Sequence, residues 1–288
     1  MSVAGKRVIA WTPFGRESTV SILFQYLLRE HERGLIDEYW LFLNTDDNQI
    51  GDLAYAYKLA RKYKGFVRII ERPENCPRLQ PKQRNTGYAY RYMADPDALF
   101  FRFDDDIVYV HEDAVENLCK AKVALPGTLA CFALMWNNAI TSWYAQKLDI
   151  IPESFGKVTA PFCMDPVGWG DGEFAVKIHR LLLGWLDQGT PEKAYFYQNY
   201  PLAPRQQFSV SCHVIDGADF MTLPEPGVLD YPEEEHWITV HRPAVVGKDN
   251  VIVGDALVSH YTFYPQGHIV RATDILDRYR KIAEEQTK

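Results

Sequence analysis

The sequence predicts an α/β protein with a mostly parallel central sheet and helices on both faces. Three observations carry this reading. Within the first 110 residues, four short apolar runs alternate with stretches of helical periodicity. Most of these runs stop abruptly at polar residues, as buried strands do at a sheet rim. A chain of 288 residues with 47% hydrophobic content is long enough for one large core and too apolar to be disordered.

The elements follow in order. RVIAW (Arg7 to Trp11) is a short apolar run that stops at Thr12-Pro13, so it reads as a buried strand. Val20, Leu23, Phe24 and Leu27 then recur at helical spacing, with Gly34 as the stop. EYWLFL (Glu38 to Leu43) is the second strand. Leu53, Ala56, Tyr57 and Ala60 mark a second helix ended by Gly65. FVRII (Phe66 to Ile70) is the third strand, Gln83 to Met93 is helical, and ALFFRF (Ala98 to Phe103) is the fourth strand. IVYV after it is strand-like. Beyond residue 110 the character changes. TLACFALMW (Thr128 to Trp136) reads as a strand, and Asn137 to Trp169 as an aromatic, Pro- and Gly-rich loop. Glu173 to Leu183 reads as a helix and QFSVSCHVI (Gln207 to Ile215) as a strand. VIVGDALVSHYTF (Val251 to Phe263) holds one or two strands, and Thr273 to Glu285 is a closing helix.

Composition excludes several classes. The formal charge of −7 gives no overall basic footprint for nucleic acid. The five cysteines are odd in number and lack CxxC spacing, which predicts reduced thiols. Met1 leads straight into polar Gly5-Lys6-Arg7, so no signal peptide is expected. The longest apolar candidate, VALPGTLACFALMW, is broken by Pro126 and Gly127, so no transmembrane segment is expected either. The expectation is a cytoplasmic protein.

In open α/β sheets, ligands bind outside the carboxyl ends of the strands. Three polar sets lie there: Thr12 to Arg16, Asn44 to Asp47, and Asp104-Asp105-Asp106. The last set poses a problem, because like charges raise the cost of ionising one another. Flanked by two strands, it is not a plain solvated turn. A divalent cation would neutralise it. Hard oxygen ligands suit Mg²⁺ or Mn²⁺, and such ions also hold substrate phosphates.

Asp104-x-Asp106 at a strand end resembles the metal motif of nucleotide-sugar-dependent glycosyltransferases of the GT-A fold. The whole order of motifs is similar to glycosyltransferase family 2. TPFGR (Thr12 to Arg16) matches the loop that touches the nucleotide, NTDD (Asn44 to Asp47) the polar residues facing the base, and KQRNTGYAYR the helix start before the motif strand. YPEEEHWIT (Tyr231 to Thr239) resembles the acidic motif that supplies the base, and VSHYTF (Val258 to Phe263) the strand ending in a histidine. The resemblance runs from about Arg7 to His260. It implies one GT-A-like, Rossmann-like domain over residues 1–288, with a nucleotide-sugar half (1–110) and an acceptor half (111–288).

The resemblance also implies roles. Asp106 and His260 would be metal ligands, and Asp104 a ligand or a contact to ribose or metal-bound water. Thr12, Pro13, Gly15, Asn44, Asp46, Asn85 and Asp105 would contact the donor, and Arg16 and Arg84 its phosphates. The cofactor would be Mn²⁺ or Mg²⁺, and the donor a nucleoside diphosphate sugar, with a UDP-sugar favoured. The acceptor would be a hydroxyl of a glycan, small molecule, lipid or modified nucleic-acid base. The acidic motif departs from the family pattern, since its second acid is Glu235 rather than Asp. Either Glu235 or Glu234 could then be the base. In DPVGWGDGEF (Asp165 to Phe174), Trp169 could stack on a sugar and Asp171 could serve as a catalytic or acceptor-binding carboxylate. The same Asp-x-Asp would also suit a nucleotidyltransferase, a haloacid-dehalogenase-like phosphatase, or a domain that binds a nucleotide sugar without turning it over. Sugar, nucleotide, stereochemical course and oligomeric state are not readable.

Overall fold

The computed structural model describes residues 5–74, 76–79, 82–221 and 234–287. Tyr231, Pro232 and Glu233 of the acidic motif therefore lie outside the described residues; Glu234 and Glu235 lie within them. Nine strands form a single sheet among the described residues: β1 (Arg7–Phe14), β2 (Glu38–Leu43), β3 (Val67–Ile70), β4 (Ala98–Phe103), β5 (Ile107–Val110), β6 (Thr128–Trp136), β7 (Tyr200–Pro201), β8 (Cys212–Asp216) and β9 (Asp249–His260). Their order is β3-β2-β1-β4-β8-β6-β9-β5, with β7 paired to β9. The expected mostly parallel sheet is present. β1 to β4, β6 and β9 share one direction, while β5, β7 and β8 run against it.

The helices are α1 (Glu17–Glu32), α2 (Ile50–Lys62), α3 (Ala114–Ala124), α4 (Ala139–Lys147), α5 (Gly172–Asp187) and a C-terminal helix, Ile275–Gln286. α1 buries its Val20, Leu23, Phe24 and Leu27 stripe. Glu17 in its first turn and Arg29 in its last complement its dipole. Gly34 follows at φ 76°, the left-handed conformation that glycine adopts without strain.

Three expectations need correction. Asn137 to Trp169 is not all loop: Asn138 caps α4 by accepting from the Ile140 and Thr141 amides. Gln83 to Met93 forms a 3₁₀ segment, Lys82–Tyr92. Of the Gln207 to Ile215 run only the part from Cys212 lies in a strand, β8; of the one or two strands expected in Val251 to Phe263, one is present, β9, which ends at His260. α3 has no counterpart among the expected elements.

β4 is buried along its whole length and sits between parallel β1 and antiparallel β8. That placement puts the residues following Phe103 at the middle of the rim.

Candidate functional site

The backbone of the acidic triplet is held from two sides. The Asp104 amide donates to Ser211 O at 2.7 Å, and the Tyr261 amide donates to Asp106 O at 2.9 Å. The chain then turns into β5, where Ile107 pairs with His260 at the end of β9. This register, and not proximity in sequence, carries His260 to Asp106. Its Nε2 lies 3.3 Å from Asp106 Oδ1.

Each carboxylate of the triplet is paired, Asp104 with Arg102 and the other two with a shared Arg16. Asp104 lies two residues beyond Arg102, on the same face of the strand, and pairs with it at 2.8 Å. Asp105 accepts both Nε and Nη2 of Arg16, a bidentate fork. Asp106 accepts Arg16 Nη2 at 3.0 Å on one oxygen and faces His260 with the other. Burial raises the Asp105 carboxyl to about 6, against the pull of Arg16. Burial also pushes Asp106 upward, but His260 and Arg16 together hold it well below the usual carboxylate range. Burial pushes His260 down, but Asp106 outweighs it and leaves the imidazole above its ordinary value.

Local structure explains why Arg16 can do this. Arg16 is the N-cap of α1, yet its side chain makes no cap bond. Asp52 serves instead, accepting the Glu17 amide at 2.7 Å. Gly15 packs directly on the triplet: a β-carbon there would lie 2.9 Å from Asp105 Oδ2. Thr12 is buried and its hydroxyl accepts a bond from Tyr39 at 3.0 Å. Pro13 pairs with Phe42 in the sheet. At the next strand end, the Asn44 amide bonds Phe14 O at 3.0 Å, and Asp46 and Asp47 lie 3.7 and 3.2 Å from Arg78. Asn85 clamps the Leu79 backbone through both ends of its amide, at 2.8 and 3.1 Å. Arg84 is half-buried in the same segment.

The acidic motif approaches from beneath. Glu234 Oε2 pairs with Arg102 Nη2 at 2.8 Å, and its Oε1 accepts the Tyr90 hydroxyl. Burial raises the Glu234 carboxyl, with Arg102 opposing. Glu235 Oε1 accepts Gln207 Nε2 at 2.6 Å. On the other side, Trp169 packs near Phe263 (ring centroids 6.4 Å apart), and Phe263 lies 4.4 Å from the His260 ring. Gln266 ties this corner together by donating to Gly168 O while accepting from Asn137 and the Phe263 amide. Asp171 caps α5, accepting the Glu173 and Phe174 amides at 2.8 and 3.1 Å.

The structure thus gathers Arg16, Asp104, Asp105, Asp106 and His260, with Gly15 against them and Glu234 joined through Arg102. Asn85 is instead bonded to the Leu79 backbone and Asp171 to the first turn of α5. Arg102, Tyr90 and Gln207 were missed in the sequence. A lone charge inside ALFFRF was the available signal for Arg102.

Among the described residues, no three His, Cys, Asp or Glu side chains converge as a metal cage. A two-ligand site is still chemically sufficient, because Mg²⁺-like ions are held by one or two carboxylates plus substrate phosphates and water. Asp106 and His260 fit that requirement. The His260 Nδ1 is buried without a hydrogen-bond partner, so Nε2 is the nitrogen directed at the site.

No protein-family model and no curated protein matches the sequence. Solved structures do match. The mannosyltransferase PcManGT from Pyrobaculum calidifontis, in complex with GDP-Man and Mn²⁺, aligns at TM-score 0.50 and 13% identity over 98% of this chain and 69% of that one. Glucosyl-3-phosphoglycerate synthase from Mycobacterium tuberculosis, with Mn²⁺ and UDP-glucose, aligns at 0.44 and 14%, over 96% and 79%. A CMP:2-keto-3-deoxy-manno-octonic acid synthetase complexed with CTP aligns at 0.47 and 10%, over 98% and 99%. The mannosyltransferase match shows the fold: this chain has the GT-A fold of nucleotide-sugar-dependent glycosyltransferases. No helix among the described residues is long and apolar enough to cross a membrane.

Proposed function

We propose that the chain is a metal-dependent glycosyltransferase that moves a sugar from a nucleoside diphosphate to an acceptor hydroxyl with inversion. One observation carries the reading. At the carboxyl rim of a GT-A sheet, β9 delivers His260 to within 3.3 Å of Asp106, completing an oxygen–imidazole pair beside an arginine. Asp106 and His260 would hold Mn²⁺ or Mg²⁺, which when bound stabilises charge on the leaving diphosphate. Arg16 would bind diphosphate oxygens by charge-assisted hydrogen bonds. Gly15 allows the backbone close approach, and Asn44 and Asp46 border the place for the base. Residues 1–110 would hold the donor and 111–288 the acceptor, with Trp169 as a ring face for sugar. A carboxylate of the Glu234–Glu235 pair would take the acceptor proton, worth about 10²–10⁴-fold.

Thermal-shift panels of UDP-, GDP-, dTDP-, ADP- and CMP-sugars, with and without Mn²⁺, test the reading on wild type and Asp106→Asn. The expected result is a donor that stabilises wild type only with metal and leaves Asp106→Asn unshifted. Stabilisation by CTP or another nucleoside triphosphate, with no response to any sugar nucleotide, would replace it with nucleotidyl transfer. The phosphatase alternative rests on the Asp-x-Asp pattern alone and gains no support from the fold.

A further inference from the structure

A guanidinium inside an apolar strand must have its charge neutralised and its donors satisfied. Arg102 meets the first need with two carboxylates and the second through both terminal nitrogens, while its buried Nε has no hydrogen-bond partner among the described residues. Its side chain is 5% exposed. Nη1 pairs with Asp104 at 2.8 Å and donates to Val210 O; Nη2 pairs with Glu234 at 2.8 Å. The Trp11 ring lies 5.5 Å from its central carbon, a cation–π contact. One planar group therefore joins the acidic triplet to Glu234 of the acidic motif, which lies 132 residues from Arg102 in sequence.

Each Glu234 oxygen already accepts from a donor within the protein. Oε2 is taken by Arg102 and Oε1 by the Tyr90 hydroxyl. Tyr90 cannot drift, because its ring is packed 5.4 Å from Trp11 and 5.2 Å from Trp237. Hydrogen bonds from Arg102 and Tyr90 stabilise the charged carboxylate and so make Glu234 a weaker base than its burial alone would. The adjacent Glu235 is the second residue of the short helical turn Glu234–His236. Its carbonyl accepts the Thr239 hydroxyl at 2.6 Å, and its carboxylate accepts Gln207.

We propose that Arg102 and Tyr90 are positioning residues that pin Glu234 as an anchor, so that Glu235 is presented to the acceptor hydroxyl. Arg102 ties that presentation to Asp104 on the donor side. The assignment rests on the glycosyltransferase reading. The fork geometry matters as much as the charge, because a lysine at 102 cannot bond two carboxylates in one plane.

The test is Mn²⁺-dependent hydrolysis of UDP-glucose and GDP-mannose, with kcat, donor KM, donor-induced thermal shift and melting temperature read for each protein. Tyr90→Phe, Glu234→Gln and Arg102→Lys are expected to lower kcat about tenfold, the size of a misplacement effect, with donor KM and thermal shift unchanged. Tyr90→Phe/Glu234→Gln is expected to be no worse than Glu234→Gln, since both act on one carboxylate. Glu235→Gln is expected to lose about 10²-fold or more. Wild-type kcat in Tyr90→Phe and Glu234→Gln overturns the assignment. So does a Glu234→Gln loss equal to that of Glu235→Gln, or a fall in kcat that only tracks melting temperature and KM. A wild type that binds and hydrolyses neither donor brings down the glycosyltransferase reading and this assignment together. Donor binding with unaffected variants removes this assignment alone.

Discussion

Two arginines hold the same acidic triplet, and they do so under different physical conditions. Arg102 reaches Asp104 from inside the sheet with a side chain 5% exposed. Arg16 reaches Asp105 and Asp106 from the rim with a side chain 40% exposed. A buried pair is costly to break because the survivor is left as an uncompensated charge, whereas a pair open to water is replaced by solvent. Arg102 therefore belongs to the architecture. Arg16 is open to solvent on its own side, although the Asp105 and Asp106 carboxylates it neutralises are buried.

The largest expected effect lies on the buried side. Arg102→Met leaves Glu234 and Asp104 without their cation and should cost about 3–5 kcal/mol in urea unfolding. A loss below about 1 kcal/mol would mean the two arginines do not differ as described.

Acidification probes the same interior. Burial, reinforced by Arg102, pushes the His213 imidazole down to about 3. Burial pushes His179 down to about 4, against its bond to Tyr261 O. Both folded values lie below the unfolded value of about 6.5, so the unfolded chain binds protons that the native state refuses. The stabilisation is complete above pH 6.5 and is lost progressively as pH falls towards 4 and then 3. Urea midpoints should be level from pH 7 to 8 with respect to these groups and decline below pH 6.5. A midpoint unchanged at pH 4.5 contradicts this.

On the rim side the order of effects reverses between folding and binding. Arg16→Ala should lower unfolding free energy by less than Arg102→Met does, because only one side of its pairs is buried. It should weaken donor binding about tenfold, the loss of a charge-assisted bond to phosphate. Calorimetry with the stabilising sugar nucleotide reads the second effect and urea the first; an unfolding loss equal to that of Arg102→Met would erase the distinction. The smallest effect is Gly15→Ala. The added methyl would meet a side-chain oxygen 2.9 Å away, which can shift by a few tenths of an ångström. Stability should stay within about 0.5 kcal/mol, while donor affinity falls measurably because Asp105 moves. An unchanged affinity would show that Asp105 does not touch the donor.

The two sides were also unequally legible in the sequence. Arg16, Asp104, Asp105 and Asp106 follow directly from strand ends, which short apolar runs reveal. His260 ends β9 and its motif could be matched, but its register against Ile107 could not. Arg102 was hidden because nothing local distinguishes a charged residue bound for two distant carboxylates from a lapse in an apolar run. The β-α-β half was read nearly element by element because each unit closes locally. The insertion of antiparallel β8 between β4 and β6 was not, since strand periodicity is blind to direction. α4 was masked by the Pro- and Gly-rich residues after it, although Asn138 is a standard cap. Asp171 illustrates the converse. A carboxylate singled out for chemistry is engaged in capping α5.

The place of β8 has a consequence during synthesis. β4 finds its neighbour β1 early, but its other edge waits for residues far downstream: Arg102 and its acceptor Val210 are 108 residues apart. At about 5–20 residues per second, a nascent chain carries that open edge for roughly 5–20 s. Over this interval six residues that end fully buried, Ala98–Phe103, present unpaired backbone and apolar side chains, the surface that other unfinished strands adhere to. The single charge at position 102 then interrupts the sticky run. The residue that later spans the finished site thus also acts as a gatekeeper while the chain is still incomplete.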